Sequence, residues 1–143
     1  PVWHLCMQDI WETRVRFEET DAQAVVFYGN YVTYQDETIS QYLRDIDYGW
    51  GEQTQFDVHV VNVDVNYRKS ATFGDELVCA TRVDRIGESS LTFEWECRRK
   101  SDDGVCADGT VTHVCVSDGE PTRFPDELRE AAVDFQETPP SPV

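Results

Sequence analysis

The feature that most constrains the fold is one long amphipathic segment that begins near Tyr28. Its apolar residues recur at three- and four-residue spacings, the period that places side chains on one stripe of an α-helix. Two helix-stopping glycines, Gly49 and Gly51, predict where the segment ends. At ~1.5 Å per residue the helix is roughly 27 Å long, enough to cross a sheet. The stripe consists of Tyr28, Tyr31, Val32, Ile39, Tyr42, Leu43 and Ile46.

Strand patterns dominate the rest of the chain. Runs of β-branched and alternating apolar residues follow the helix, separated by short hairpin-type connections. A change of phase at Val60 and Val61 predicts a β-bulge in the first of these runs. The predicted strands cover 13–18, 58–67, 77–86, 90–100 and 105–117, and a last short helix covers 125–135. The sequence therefore predicts an α+β fold in which a five-stranded antiparallel sheet wraps around one long helix.

The length of 143 residues is that of one domain. We assign this domain to residues 13–135, with 1–12 as an N-terminal extension and the proline-containing segment 136–143 as a disordered tail. An open five-stranded sheet leaves an edge of unpaired backbone groups. Pairing of that edge with a second copy predicts a homodimer, or a homotetramer built as a dimer of dimers.

The charge of the chain excludes several classes of partner. There are 12 Lys and Arg against 28 Asp and Glu, a net charge of −16 with a pI near 4.3. Such a field repels nucleic acid and anionic membrane surfaces. Self-repulsion of this size is screened in molar salt, where the Debye length falls to about 3 Å. The composition favours a protein of a salt-adapted cytoplasm, with an acidic protein of an ordinary cell as the alternative.

Neither cysteine spacing nor targeting signals indicate a metal site, a disulfide framework or export. The five cysteines are odd in number and contain no C-x-x-C pair, which argues against a disulfide framework and a structural zinc site. Four of them fall in strand-like segments and are predicted to be small buried hydrophobic residues; they are Cys79, Cys97, Cys106 and Cys115. His59 and His113 have no motif partner and are interpreted as structural. The chain has no apolar run of about 20 residues and no signal-peptide pattern, which predicts an intracellular protein.

The most informative short stretch is EETDAQAVVFYGNY, residues 18–31. It places Asp21 on a loop, between an apolar run and the start of the long helix. A carboxylate beside an apolar wall and a helix N-terminus is typical of a catalytic site. Taken alone, the TDAQ segment favours a turn in which Asp21 is only a turn or capping residue.

Three segments resemble the hot-dog fold acyl-CoA thioesterases of the 4-hydroxybenzoyl-CoA thioesterase type. The first is RFEETDAQAVVFYGNY at 16–31, and the second is NYRKSATFGDEL at 66–77, which is similar to that family's Tyr-x-x-x-Ala-x-x-Gly-Asp block. Weaker support comes from SSLTFEWE at 89–96. The resemblance covers about residues 13–128 and implies a hot-dog fold and an enzyme that hydrolyses an acyl-CoA to the free acid and coenzyme A.

The resemblance also implies roles for particular residues. Asp21 matches the family's loop aspartate, which acts as a nucleophile on the thioester carbonyl or as the base that activates water. The backbone N–H of Tyr28 matches the oxyanion donor, and Gly29 allows the ligand to approach the helix start. Ala24 and Tyr28 depart from the family pattern, where Gly and His are common. The acyl pocket would be walled by Val25, Val26 and Phe27.

Further residues are assigned to substrate binding. Coenzyme A is polyanionic, so local cations must bind it, and Arg68 and Lys69 are the candidates, with the basic run 98–100 as a second possibility. Ordinary solvated strand ends are the alternative for each of these cations. No cofactor is expected apart from the coenzyme A of the substrate.

Gln35 interrupts the apolar stripe of the helix. Because a buried polar side chain needs a partner, we expect Gln35 to face a ligand or a subunit interface, or to be a satisfied structural amide. Three tyrosines of the helix line an aromatic acyl pocket or pack against the sheet; they are Tyr31, Tyr34 and Tyr42.

Two other functions remain open at this point. A hot-dog hydratase or dehydratase would carry a His with the acid, commonly just after a Gly-Asp block, but Gly74 and Asp75 are followed by Glu76 and Leu77. A non-catalytic acyl-thioester binding protein would keep the pocket without needing Asp21.

Overall fold

The sheet is built from five long strands, and the computed structural model describes residues 7–48 and 57–142. The strands lie in the order β1-β3-β4-β5-β2, with every neighbouring pair antiparallel. The long elements are β1 Gln8–Arg14, α1 Asn30–Asp45, β2 Asp57–Tyr67, β3 Glu76–Ile86, β4 Ser90–Arg99, β5 Val105–Ser117 and α2 Asp126–Phe135. Short pieces complete the fold: a 3₁₀ turn at Phe17–Glu19, β6 Glu120–Pro121 pairing with β5, and β7 Ser141–Pro142 pairing with β3. The predicted α+β hot-dog architecture is confirmed.

Helix α1 lies against the inner face of the sheet. Its buried side chains divide the core into two clusters, one around Tyr42 and Phe93 and one around Tyr34 and Trp95. Trp95 Nε1 donates to Thr38 Oγ1 at 3.1 Å, and that hydroxyl donates to the Tyr34 carbonyl at 2.6 Å. These two hydrogen bonds satisfy the Trp95 indole N–H and the Thr38 hydroxyl inside the core.

Strand β2 is an edge strand with little burial on either face. It pairs with β5 on one side, and Val60, Val61 and Val63 are 51%, 59% and 43% exposed. The register shift between Val60 and Asn62 confirms the predicted bulge. At Gly109 of β5 an added Cβ would lie 1.8 Å from the Asp64 carbonyl oxygen, so only glycine permits this strand pair to approach as it does.

The first strand and the helix stripe differ from the prediction. The strand expected at 13–18 lies at 8–14, mostly within the predicted extension 1–12, and the chain beyond Arg14 forms the 3₁₀ segment. Tyr28 and Val32 were predicted to face the core but are 63% and 40% exposed, since they lie where α1 meets the open side of β2. The predicted helix end at 49–51 falls outside the described residues, and α1 ends at Asp45.

The tail predicted to be disordered is held against the sheet. Gln136 Oε1 accepts from the Val83 backbone N–H at 2.7 Å and from the Tyr42 hydroxyl. Its Nε2 donates to the carbonyls of Val83 and Thr138, both at 3.0 Å. Arg82 donates to the Thr138 carbonyl at 3.3 Å, and β7 then pairs with the end of β3. The tail therefore covers the stretch of β3 beyond the last pair with β1.

The remaining predictions concern cysteine, histidine and the membrane. Cys79, Cys97, Cys106 and Cys115 are free and buried as predicted, while Cys6 lies outside the described residues. His113 is buried and His59 is exposed on β2. Within the described ranges, neither helix has the length and apolar character that a membrane crossing demands. In the same part of the chain no group of three or more His, Cys, Asp or Glu is placed to hold a metal ion.

Candidate active site

The loop between β1 and α1 is folded into a tight turn around Asp21. The Asp21 N–H donates to the Val25 carbonyl and the Ala24 N–H donates to the Asp21 carbonyl, both at 2.9 Å. One carboxylate oxygen, Oδ1, accepts from the Gln23 N–H at 2.8 Å. Ala24 has a φ of 64°, the left-handed region that a glycine adopts without strain. The turn fixes the Asp21 side chain and leaves its Oδ2 without a hydrogen bond from any described residue.

Glu19 anchors the start of this loop. Its carboxylate accepts from the Arg16 backbone N–H at 2.8 Å and pairs with the Arg16 guanidinium at 3.1 Å, and its carbonyl accepts from Asn30 Nδ2 at 2.8 Å. Burial, together with the negative charge of Glu19, raises the pKa of Tyr34 well above its usual range. Glu19 is a positioning residue that the sequence analysis did not single out.

The N-terminus of α1 presents backbone N–H groups that no described residue accepts. The Asn30 N–H donates to the Phe27 carbonyl at 2.9 Å, but neither Tyr28 nor Gly29 donates a backbone hydrogen bond within the described chain. Free N–H groups at a helix start carry partial positive charge and bind anionic oxygen atoms.

A cleft of about 260 Å³ brings most of the predicted site residues together. Asp21 lies at it, and the predicted residues Val25, Val26, Tyr28, Tyr31, Arg68 and Lys69 line it. Tyr67 and Ser70 also line this cleft and were not singled out, although they flank the predicted Arg68 and Lys69 in the 66–77 segment. Phe27 and Gly29 do not line it. The Phe27 ring packs against Gly29, so closely that a Cβ added to this glycine would lie 2.8 Å from a ring carbon.

Aromatic rings form one side of the cleft. The Tyr67 ring contacts those of Tyr28 and Tyr31, with centroid distances of 6.3 and 5.8 Å, and the Tyr67 hydroxyl donates to the Tyr28 carbonyl at 3.3 Å. Burial raises the pKa of Tyr31 well above its usual range, so this hydroxyl is a neutral donor at physiological pH.

Gln35 lies at a second, mostly apolar pocket of about 260 Å³ between α1 and β2. It is 1% exposed, its Nε2 reaches the Asp64 carbonyl only at 3.5 Å, and its Oε1 has no partner among the described residues. Burial raises the pKa of Asp36 beside it. Val32 and Val63 line this groove between α1 and β2, four residues along the chain from the cleft residues Tyr28 and Tyr67 respectively.

The cations near the cleft differ in whether a carboxylate of the chain already pairs with them. Arg68 donates to both carboxylate oxygens of Asp108, at 3.1 and 3.2 Å. Lys69 forms no ion pair with a described residue. The basic run 98–100 is held by carboxylates, with Arg98 bound to Asp9 at 2.6 Å. Lys69 is therefore the cation most available to an anionic ligand at this cleft.

Comparison with known proteins identifies the family. The family model described as the thioesterase-like superfamily matches residues 15–132. The chain belongs to the thioesterase-like superfamily. Membership makes it a thioester hydrolase and argues against the hydratase alternative.

One named relative and two solved structures are similar to this chain. The acyl-CoA thioesterase YbgC of Haemophilus influenzae is 28% identical over 123 residues, covering 82% of this chain and 89% of the relative. The crystal structure of Slr0204, a 1,4-dihydroxy-2-naphthoyl-CoA thioesterase from Synechocystis, superposes with a TM-score of 0.83 at 17% identity over 89% of this chain and 96% of that chain. A DHNA-CoA thioesterase from Staphylococcus aureus superposes with a TM-score of 0.80 at 21% identity, covering 89% of each chain. The two structures show the same fold.

Proposed function

We propose that this protein is an acyl-CoA thioesterase whose reaction takes place in the cleft at Asp21. The observation that carries the proposal is the convergence of a fixed carboxylate and a helix start with free N–H groups in one cleft. The Haemophilus relative, named as an acyl-CoA thioesterase, supports the choice of coenzyme A ester.

The chemistry follows from these two groups. The thioester carbonyl lies with its oxygen toward the Tyr28 N–H, which stabilises the negative charge that develops on that oxygen, a contact worth ~3 kcal/mol in other enzymes. Asp21 either attacks the carbonyl carbon, giving an acyl-aspartyl anhydride that water then hydrolyses, or removes a proton from the attacking water. Coenzyme A leaves as a thiolate, and because a free thiol has a pKa of only ~8.5, little acid assistance is needed.

The test is release of free thiol from a panel of aliphatic and aromatic acyl-CoAs in molar KCl. Asp21→Asn is expected to lose at least about 100-fold in kcat/KM while remaining folded, and exposed Asp134→Asn is the matched control and is expected to keep full activity. An Asp21→Asn variant as active as the parent would refute the catalytic role. If both the parent and Asp21→Asn bind acyl-CoA and neither hydrolyses it, the protein is an acyl-CoA binding module and not a hydrolase.

Isotopic labelling tests whether Asp21 forms an anhydride that water opens at the aspartyl carbon. Turnover in H₂¹⁸O, followed by mass spectrometry of the peptide that contains Asp21, places the label in this carboxylate when water attacks the aspartyl carbon of the anhydride. Label found in the released acid alone, in a single turnover, shows that water attacked the acyl carbon, which occurs both in the general-base route and when water opens the anhydride on its acyl side.

The acyl group extends from the cleft into the groove between α1 and β2. Val32, Ile39 and Val63 provide its apolar wall, and the unpartnered Gln35 Oε1 accepts a hydrogen bond from a donor on the acyl group. The Synechocystis structure, named for a dihydroxynaphthoyl ester, favours a ring hydroxyl as that donor. Gln35→Leu is expected to lower kcat/KM about 10-fold for a hydroxylated aryl-CoA and to leave the unsubstituted aryl-CoA unaffected. Equal losses for both esters would contradict the assignment.

The active form is a homodimer paired along β2, alone or within a homotetramer. This edge strand has free backbone groups and three exposed valines, and its end lines the cleft. Val61→Lys is expected to shift sedimentation toward the monomer and to lower activity with it. A monomeric parent protein would overturn the proposal.

A further inference from the structure

Two phenylalanines next to the cleft are the most solvent-exposed large apolar side chains in the described part of the chain. Phe17 is 77% exposed and Phe73 is 64% exposed. Their rings contact each other edge to face, with centroids 6.2 Å apart and an interplanar angle of 86°. Exposed aromatic pairs that cover nothing in the core are expected at binding surfaces.

Both rings are mounted on rigid backbone. Phe73 and Gly74 form the corner of a turn closed by the Asp75 N–H to the Thr72 carbonyl at 3.0 Å, and Gly74 has a φ of 86°. The Asp75 carboxylate accepts from the Thr72 N–H at 2.9 Å. The Gly74 N–H donates to the Val15 carbonyl, which ties this turn to the segment that carries Phe17. The pair is therefore preorganised and loses little freedom when it binds a flat ring.

The turn that carries Phe73 is continuous with the wall of the cleft. Val25 lines the cleft and forms a β-bridge with Thr72, while the Val26 N–H donates to the Ala71 carbonyl at 2.9 Å. Ser70, three residues before Phe73, also lines the cleft. Three residues span at most ~11 Å. A ligand in the cleft with a long extension can therefore reach this ring.

Basic side chains gather at the same end of the sheet. Segments 14–16, 68–69 and 98–100 contain seven of the chain's 12 Lys and Arg, although the net charge is −16. Carboxylates pair with six of the seven, and Lys69 is the one that no described carboxylate pairs with. A ligand with phosphates near its middle and a flat base at its end fits this arrangement of a free cation followed by exposed rings.

We propose that Phe17 and Phe73 form the platform on which the adenine base of coenzyme A stacks, outside the cleft and beyond a phosphate contact at Lys69. The inference rests on the proposed acyl-CoA thioesterase function and adds the site that holds the nucleotide end of the substrate. Every nucleobase offers a π-face to an aromatic ring, so the platform binds the adenine base through stacking. It makes the enzyme prefer full coenzyme A esters over esters that lack the nucleotide.

The test compares two substrates with the same acyl group, the coenzyme A ester and the pantetheine ester. Phe73→Ala is expected to raise KM five- to tenfold for the coenzyme A ester only, with kcat unchanged, at the low end of base-on-aromatic stacking because the ring is exposed. Phe73→Trp keeps a π-face and is expected to retain the parent KM. Val133→Ala, which removes an exposed apolar side chain from α2, is the matched control and is expected to change neither ester.

Three results would overturn the platform: a KM that rises equally for both esters, a KM that does not rise, or a changed sedimentation coefficient for Phe73→Ala, which would make the pair a subunit contact. Calorimetric titration with coenzyme A itself separates this inference from the reaction. If the parent protein cleaves neither ester, the hydrolase proposal fails. Even then, a coenzyme A affinity that is five- to tenfold weaker in Phe73→Ala supports the platform, and an unchanged affinity refutes the platform.

Discussion

Replacing Gln136 by Ala is expected to destabilise the protein more than any exposed polar substitution. The Gln136 amide makes four hydrogen bonds, two of them to the backbone of Val83 and one to the Tyr42 hydroxyl. Three are at buried partners, and a buried hydrogen bond contributes about 1 kcal/mol net. Loss of the amide also leaves buried Val83 groups unsatisfied unless water enters. We expect a loss of about 3 kcal/mol, which lowers the melting temperature by about 10 °C for a domain of this size.

Urea unfolding at a fixed protein concentration measures this effect, since an oligomer's stability depends on concentration. Gln41→Ala is the matched control, because the Gln41 amide bonds only Asp45 on an exposed helix face and should contribute less than about 0.5 kcal/mol. If Gln136→Ala lies within 0.5 kcal/mol of the parent, as the control does, the tail does not stabilise β3 and the reasoning is wrong.

Three further perturbations follow from the structure. Ala24→Gly removes the strain of a left-handed alanine and should raise the melting temperature by about 1–3 °C; a decrease in a thermal scan would contradict this. Burial lowers the pKa of His113 to about 4, so the neutral imidazole is favoured in the fold. The stability that the buried neutral imidazole contributes is complete above pH ~6.5 and is lost as the pH falls toward 4, up to about 3 kcal/mol. In denaturant titrations, His113→Gln should therefore lose less stability than the parent between pH 6.5 and pH 4. Raising KCl from ~0.1 to ~1 M should raise the melting temperature because it screens the net charge of −16; an unchanged value would refute self-repulsion.

The main elements could be predicted from sequence where a long run has one period. The four strands from β2 to β5 and the helix α2 lie close to their predicted ranges. A periodic pattern that continues over ten or more residues is compatible with only one type of secondary structure. Strand β1 was misplaced because QDIWETR has too few apolar residues to show its period. The tail was missed because its order comes from one glutamine that bonds a distant strand, and composition does not encode such a contact.

The site was predictable only in part for a similar reason. Asp21, Val25 and Val26 are neighbours in sequence, so one motif locates all three at the cleft. Tyr67 and Ser70 flank the predicted Arg68 and Lys69 in the 66–77 segment, but the pairing of loop and turn decides which of these side chains line the cleft. Tyr28 and Gln35 both lie on the predicted helix stripe, yet Tyr28 is 63% exposed and Gln35 is 1% exposed, a difference that the helical period alone does not determine.

Gly109 determines more than a close approach between two strands. In most sheets the register of a strand is specified by which of its faces is buried, but β2 is exposed along nearly its whole length, so burial specifies almost nothing there. The one position on β5 that admits the Asp64 carbonyl is Gly109, and a slip of one residue in β2 would set that carbonyl against a neighbouring side chain. Tyr67, Arg68 and Lys69 lie at the end of the same strand. By setting the register of β2, Gly109 therefore also sets the position of these two cations relative to the carboxylate of Asp21 in the cleft.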